Sequence, residues 1–183
     1  MTRSLPAVLL AVLGLSLAAA CSDKEAVAVK PAPVLLTEEA LGHYCNMGLL
    51  EHDGPKAQIH LKGMEHPVWF TQVRDAIAYT RLPEETHEPV AIYVNDMGRA
   101  QSWEQPGTDN WLDIDQAWLV IGSRRSGGMG APEAIPFGAR EQADAFALEH
   151  GGQVVRIGEV ADSYVLSPVD IGPQNAQHDG SMK

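Results

Sequence analysis

The stretch VWFTQVRDAIAY, residues 68–79, decides the fold class of this chain. Val73, Ile77 and Leu82 recur at helical spacing and therefore lie near one face of a helix. A proline follows Leu82 directly, and proline is a common stop signal for helices. The spacing predicts an amphipathic helix over residues 70–82.

The second half of the chain repeats this pattern. Residues 140–150 predict another helix, which ends at a pair of glycines. When Phe70 is placed on Phe137, Tyr79 falls on Phe146 and two pairs of alanines also superpose. Identity between the halves is weak, but the shared order suggests a pseudo-symmetric pair of units.

Short apolar runs bounded by turn residues surround both helices. Their composition predicts strands over residues 41–50, 57–62 and 90–95 in the first half and over 117–123, 134–137 and 154–160 in the second. Each half then runs strand, strand, helix, strand, and we predict an α+β fold of two small pseudo-repeated units. Neither unit alone buries much apolar surface, so the two should pack together.

The first residues are typical of an exported protein. Arg3 precedes an apolar run over residues 5–20, which falls short of the roughly 20 residues that a membrane-spanning helix needs. The run ends in three alanines and Cys21, the pattern of a secretory signal before a lipidation cysteine. The alternative is a plain secretory signal cut near Ala20, and both interpretations export the protein.

We expect six segments along the chain. A signal peptide is followed by a tether, and two strand-strand-helix-strand domains are joined by a linker that carries Pro106 and Gly107. A polar tail, expected to be disordered, follows the second domain. In chain order the expected bounds are 1–20, 21–36, 37–98, 99–112, 113–168 and 169–183.

The charge and the motif content exclude several classes of protein. The net charge of −11 at neutral pH makes the chain a poor candidate for binding nucleic acid or anionic lipid. The sequence contains no Walker motif, dinucleotide fingerprint, HExxH or CxxC. The best-defined enzyme and zinc signatures are therefore missing.

Cys45 is the most informative single residue. The chain has 2 cysteines, and lipid would consume Cys21, so Cys45 would be a lone thiol in an oxidising compartment. Metal ligation explains such a thiol. The alternative is a buried cysteine that behaves as a small apolar side chain.

Met47 lies two residues after Cys45. On a strand these two side chains would share a face, whereas on a helix they would diverge, so the pair favours an extended segment or a turn. Thiolate and thioether sulfurs together select Cu(I) over Zn, Ca or Mg. The spacing therefore predicts a Cu(I) site at this pair.

Three further side chains are candidates to complete the site. Met129 lies in the loop GGMG, residues 127–130, where there is little core to fill and the backbone can bend to present its sulfur. His43 precedes Cys45 by two residues on the same predicted face, and His52 lies in the first predicted turn. The residues alone leave the third ligand open.

The motifs in their order resemble the NosL family, the copper-binding accessory lipoproteins of nitrous oxide reductase. Cys45 and Met47 are followed by HDGPKAQIH, VWFTQVRDAIAY, YVNDMG, GGMGAPEAIPF and HGG. Such an ordered series is far more specific than any single motif. By the family pattern Cys45 and Met47 match the metal motif and Met129 matches a glycine-flanked methionine, while His52 lies in a matched stretch.

The resemblance implies a periplasmic, lipid-anchored Cu(I) carrier. Its copper would supply the catalytic copper–sulfide centre of nitrous oxide reductase, and it would work beside a membrane transporter complex. The resemblance also implies paired domains similar to parts of organomercurial lyase, in agreement with the repeat.

We expect a carrier rather than an enzyme. An organomercurial-lyase-like activity is an alternative, but fold analogy is a weak warrant, and such chemistry would be expected to use more than the single thiol of the mature chain. A structural lipoprotein is the third possibility. A purely structural role would not explain why the chain contains both Cys45 and the glycine-flanked Met129.

Overall fold

An antiparallel four-stranded sheet forms the first half of the protein, whose computed structural model describes residues 30–169. The strands are β1 (Ala57–Leu61), β2 (Val68–Phe70), β3 (Pro89–Asn95) and β4 (Trp111–Asp113), in the order β2-β1-β3-β4. Helix α1 (Val73–Tyr79) follows β2. All of its residues except Asp75 are buried, because α1 packs against both the sheet and the second half.

A smaller antiparallel sheet forms the second half. Its strands are β5 (Trp118–Ile121), β6 (Ile135–Phe137) and β7 (Gln153–Val155), in the order β6-β5-β7. Helix α2 (Arg140–His150) connects β6 to β7, and the short helix α3 (Asp162–Leu166) packs against α1. Among residues 30–169 there is no helix with the length and apolarity needed to cross a membrane.

The two halves share one strand plan, which confirms the predicted α+β repeat. In each sheet the first strand of the unit lies between the second and the third. Phe70 pairs with Ala57 at the end of β2, and Phe137 pairs with Trp118 at the end of β6. The alignment of Phe70 with Phe137 therefore holds in the strand register.

The predicted strand over residues 41–50 is wrong. The chain turns back on itself there, since the Gly42 N–H donates to the Met47 carbonyl (2.9 Å) and the Asn46 N–H to the Gly42 carbonyl (2.7 Å). Asn46 has a φ of 54°, a left-handed conformation that asparagine tolerates better than most residues. The second strand of this unit is β2 instead, and the helix begins at Val73 rather than at residue 70.

Two segments near the second unit also differ from expectation. β4 spans the end of the predicted linker and pairs with β3. Only the start of the predicted strand over residues 154–160 is extended, as β7, and a 3₁₀ turn follows at Ile157–Glu159. The Glu159 carboxylate accepts the Arg156 N–H (2.7 Å), which closes this turn and ends the strand.

The described part of the predicted tether, residues 30–36, lies against the first sheet rather than free of it. Gln58 on β1 accepts the Val34 N–H (2.8 Å) and donates to the Val34 carbonyl (2.9 Å). All five residues of β1 are buried, because this segment covers the face opposite the core. The predicted signal peptide, Cys21, the rest of the tether and the predicted tail beyond residue 169 lie outside the described residues.

One apolar core extends through both halves. Ile59 and Phe70 of the first sheet, Ile77 of α1, and Leu119 and Val155 of the second sheet belong to the same buried cluster. Burial of apolar surface is the main favourable term in folding, so the interface between the halves contributes directly to stability. This shared core holds the two halves together, so the loop at residues 127–130 of the second half can contact the first half.

Candidate metal site

The turn at residues 42–47 presents Cys45 and Met47 at the surface. A turn was one of the two hosts that their spacing favoured. Cys45 carries a free, half-buried thiol, and Met47 is exposed. The Cys45 Sγ lies 3.8 Å from Thr71 Oγ1 and directly over Gly42, where an added Cβ would come within 2.6 Å of the sulfur. Glycine at position 42 therefore leaves room for the thiol.

The glycine-rich loop of the second half, residues 127–130, reaches across to the first half. The Met129 N–H donates to Gln72 Oε1 (3.2 Å). The Gly128 carbonyl accepts a hydrogen bond from His52 Nδ1 (3.2 Å). Both contacts join residues of different halves, so the loop that carries Met129 is fixed by hydrogen bonds to the first half.

The glycines before Met129 are required by close packing. An added Cβ at Gly127 would lie 2.5 Å from Gln72 Oε1, and one at Gly128 would lie 2.8 Å from the Asp53 carbonyl oxygen. Neither backbone nor a hydrogen-bonded amide gives way cheaply at such distances. Gly127 and Gly128 therefore allow the close approach between the two halves.

The turn and the loop meet at Thr71 and Gln72, which connect β2 to α1. Cys45 contacts the side chain of Thr71, and Met129 is hydrogen-bonded to the side chain of Gln72. The structure thus brings the Cys45 turn and the Met129 loop to one two-residue connection. Neither Thr71 nor Gln72 stands out in the sequence, because both are separated from Met129 by more than 50 positions.

His52 has the hydrogen-bonding pattern of a metal-ligating imidazole. A carbonyl oxygen only accepts, so Nδ1 carries the proton that it donates to the Gly128 carbonyl, and in the neutral ring the lone pair is then on Nε2. That Nε2 is buried and has no hydrogen-bond partner among residues 30–169. Ligating histidines commonly donate their other ring N–H to a carbonyl in this way.

His43 is engaged elsewhere. Its ring packs against Phe70 and Tyr79, with centroid separations of 5.7 and 5.3 Å, and its Nε2 lies 3.5 Å from Glu85 Oε1. The expectation that His43 shares a face with Cys45 depended on a strand that is absent. The geometry therefore favours His52 over His43 as a nitrogen donor.

A buried carboxylate, Glu133, anchors the far end of the Met129 loop. Its Oε1 accepts the Arg74 N–H (2.8 Å) and its Oε2 the Val73 N–H (3.3 Å), both at the start of α1. Burial raises the pKa of Glu133 to about 8, although the backbone N–H donors act in the opposite direction. The only signal in the sequence was a charged residue inside the apolar run at 131–137.

Lys56 is a second buried charged residue near the Met129 loop, and it follows His52 by four positions. Its Nζ donates to the carbonyls of Asp53 (2.9 Å) and Gly54 (2.6 Å). Burial lowers the pKa of Lys56 to about 8, and the nearby Glu133 carboxylate partly offsets this. The contacts of Lys56 fix the backbone directly after His52, which helps to hold the imidazole against the Met129 loop.

Sulfur is the distinguishing donor of this site. Within residues 30–169, no three His, Cys, Asp or Glu side chains lie close enough together to hold a metal ion. The candidate donors at this edge are the Cys45 thiol and the thioethers of Met47 and Met129, and thiol and thioether sulfurs suit a soft cation. The fold and these donors describe a small α+β protein with a candidate soft-metal site at its surface.

The chain belongs to the NosL family, whose model matches residues 33–165. It is 54% identical over 161 residues to the copper-binding lipoprotein NosL of Achromobacter cycloclastes, covering 87% of this chain and 82% of that relative. The copper-binding lipoprotein NosL of Stutzerimonas stutzeri is 31% identical over 160 residues, covering 87% of this chain and 81% of that relative. These matches confirm the resemblance found in the ordered motifs.

A solved structure of the family has the same fold. The crystal structure of the copper chaperone NosL from Shewanella denitrificans superposes with a TM-score of 0.66 at 30% identity, covering 72% of this chain and 96% of that chain. All three of these proteins are named for copper binding or copper delivery, and none for catalysis. Copper is therefore the first metal to consider for the sulfur site described above.

Proposed function

We propose that this chain is a Cu(I) carrier, anchored in the periplasm by lipid at Cys21, which supplies copper for the catalytic copper–sulfide centre of nitrous oxide reductase. Its recipients are the nitrous oxide reductase apoprotein and the membrane transporter complex that works with it. The copper named in the relatives supports this cargo. The observation on which the proposal mainly rests is the free Cys45 thiol beside exposed Met47, at the same connection as the Met129 loop.

Three sulfurs and one nitrogen form the proposed ligand set. Cys45 binds as the thiolate and neutralises the charge of Cu(I), while Met47 and Met129 add soft, neutral contacts. His52 is the nitrogen candidate, because its buried Nε2 has a free lone pair and its Nδ1 is already oriented by the Gly128 carbonyl. The preference for Cu(I) over Zn(II) follows from the excess of sulfur over harder donors.

A carrier must hold its ion tightly and also release it. Met47 lies exposed on a surface turn, so a recipient can approach the ion from that side. Met129 is half-buried, and its loop is bound to Gln72 and His52 by two hydrogen bonds. Release through Met129 therefore requires these two bonds to break before the loop moves away.

We expect the substitution Met129→Ala to weaken Cu(I) binding about tenfold and to speed transfer to a chelator, because it removes one neutral ligand. A chelator competition gives the affinity, and stopped-flow absorbance gives the transfer rate. Met97→Ala is the matched control, since Met97 is also half-buried but packs in the apolar core around Phe137. If Met129→Ala changes neither quantity, Met129 is an ordinary loop residue and His52 becomes the preferred third ligand.

The lipid anchor is tested by the substitution Cys21→Ser. We expect the wild-type protein in the membrane fraction and the variant in the soluble periplasmic fraction, because the thioether-linked lipid is lost. Fractionation followed by mass spectrometry of the N-terminus measures both properties. An unmodified N-terminus on protein isolated from membranes would contradict lipidation.

A further inference from the structure

Exposed apolar side chains frame the turn that carries Cys45. Leu41, Tyr44, Met47 and Leu50 all lie within the ten residues 41–50, and between 37% and 49% of each remains exposed. The backbone bridge between Leu41 and Gly48 holds the two ends of the turn together. We call these four side chains the apolar collar. Exposed apolar side chains that are concentrated on one turn, beside a candidate metal site, suit a surface for interaction.

Carboxylates border the apolar collar on two sides. Glu51 lies against Gly48, where an added Cβ would be 3.2 Å from the Glu51 carboxyl carbon. Glu38 and Glu51 line one surface cavity of about 390 Å³. On the other side, Glu85 Oε1 lies 3.5 Å from the Tyr44 hydroxyl. The collar thus has an acidic rim.

The sequence around the collar adds no compensating positive charge. Residues 31–55 contain four acidic side chains and no lysine or arginine. Lys56, the next cation along the chain, is buried and bound to backbone carbonyls. The exposed Arg99 lines a second cavity together with Leu50, but the exposed Glu104 and Asp109 line that cavity too. The surface that a recipient meets first is therefore apolar at its centre and mainly negative at its edge.

We propose that the apolar collar and its acidic rim dock a protein recipient whose copper-accepting site is apolar and bordered by lysine or arginine. The inference rests on the proposed function, since it assigns the face through which the copper leaves. Opposite charges at the rim steer the encounter and set its orientation. Apolar contact at the centre excludes water from the ion during transfer. A membrane with anionic lipids would be repelled by the same rim.

Two synthetic peptides test the proposed docking surface. Both carry the same central pair of methionines, and they differ only in flanking residues, which are lysines in one and glutamates in the other. The donor is the Cu(I)-loaded mature chain with Cys21→Ser, so that Cys45 is its single thiol. We expect transfer at low salt to be about tenfold faster to the lysine-flanked peptide, and this preference to disappear near 0.5 M salt.

Matched variants locate the effect on the donor. Glu38→Gln with Glu51→Gln should remove most of the preference, whereas Glu141→Gln with Glu149→Gln, on exposed positions of α2, should retain it. Leu50→Ser should slow transfer to both peptides. Leu148→Ser is its control, because Leu148 is 90% exposed on the same distant helix.

The Cu(I) affinity of every variant is measured in parallel, which separates this inference from the proposed function. If the chain fails to bind Cu(I), the proposed function is wrong, and the affinity measurement alone shows this. Normal Cu(I) binding with equal transfer to both peptides would overturn the docking surface alone. Flotation of the unlipidated chain with phosphatidylcholine vesicles, lost in Leu50→Ser, would also overturn it and assign the collar to the membrane.

Discussion

Replacing Cys45 by alanine is expected to lower the Cu(I) affinity of the mature chain by at least about 100-fold, because a thiolate contributes more to the free energy of Cu(I) binding than a neutral thioether does. Cys45 is also the ionised ligand of the proposed set, so its loss leaves the positive ion without a compensating charge. The chain should still fold. Cys45 is only half-buried, and its polar contact with Thr71 Oγ1 is long at 3.8 Å.

Two methionine variants provide the scale for this effect. Met47→Ala should cost about tenfold in affinity, since it removes a neutral thioether. Met64→Ala should leave the Cu(I) affinity unchanged, because Met64 lies in the connection between β1 and β2 and not in the proposed site. It is a suitable control, since Met64 and Met47 are exposed to a similar extent. The affinities are measured by competition with a Cu(I) chelator under reducing conditions. Normal binding by the Cys45→Ala variant would show that the proposed site is wrong.

The substitution Glu133→Ala is expected to destabilise the fold by about 3 kcal/mol. Glu133 is 1% exposed and accepts hydrogen bonds from the backbone N–H groups of Val73 and Arg74. Alanine would leave these buried donors without a partner, which costs about 1–3 kcal/mol for each. Thermal unfolding should show a midpoint lower by about 6–12 °C.

Glu159→Ala is the matched control for this stability effect. Its carboxylate also accepts a backbone N–H, that of Arg156 (2.7 Å), but the residue is exposed. Water replaces the lost acceptor there, so we expect a loss of less than about 1 kcal/mol. Equal midpoints for the Glu133→Ala and Glu159→Ala variants would contradict the role of Glu133 as a buried anchor between the halves.

The order of elements could be predicted from the sequence because periodicity and turn residues act locally. The helix over residues 140–150 and the alignment of Phe70 with Phe137 both agree with the structure. The turn at residues 42–47 could not be predicted in the same way. The composition of residues 41–50 does not distinguish this turn from a strand. Its shape is determined by two backbone hydrogen bonds and by Asn46, which adopts a left-handed backbone conformation.

The candidate ligands could be identified from chemistry, but their surroundings could not. Cys45 and Met47 are close in sequence and carry soft donors, and Met129 stands out among glycines. The side chains that attach the Met129 loop to the first half are Gln72 and Glu133, whose partners lie 57 to 60 positions away in the chain. Contacts between residues so far apart in the chain arise from the packing of the two halves. Local sequence patterns do not predict this packing.

X-ray absorption at the copper edge of the Cu(I)-loaded mature chain, with Cys21→Ser, tests the proposed carrier most directly. We expect a Cu(I) edge and a first shell with at least two sulfur neighbours. One of these sulfurs should be lost in Met129→Ala. After unbound copper is removed, Cys45→Ala should retain too little copper to give the wild-type spectrum. A first shell of nitrogen and oxygen alone, or a wild-type spectrum retained in Cys45→Ala, would contradict a Cu(I) site built on Cys45.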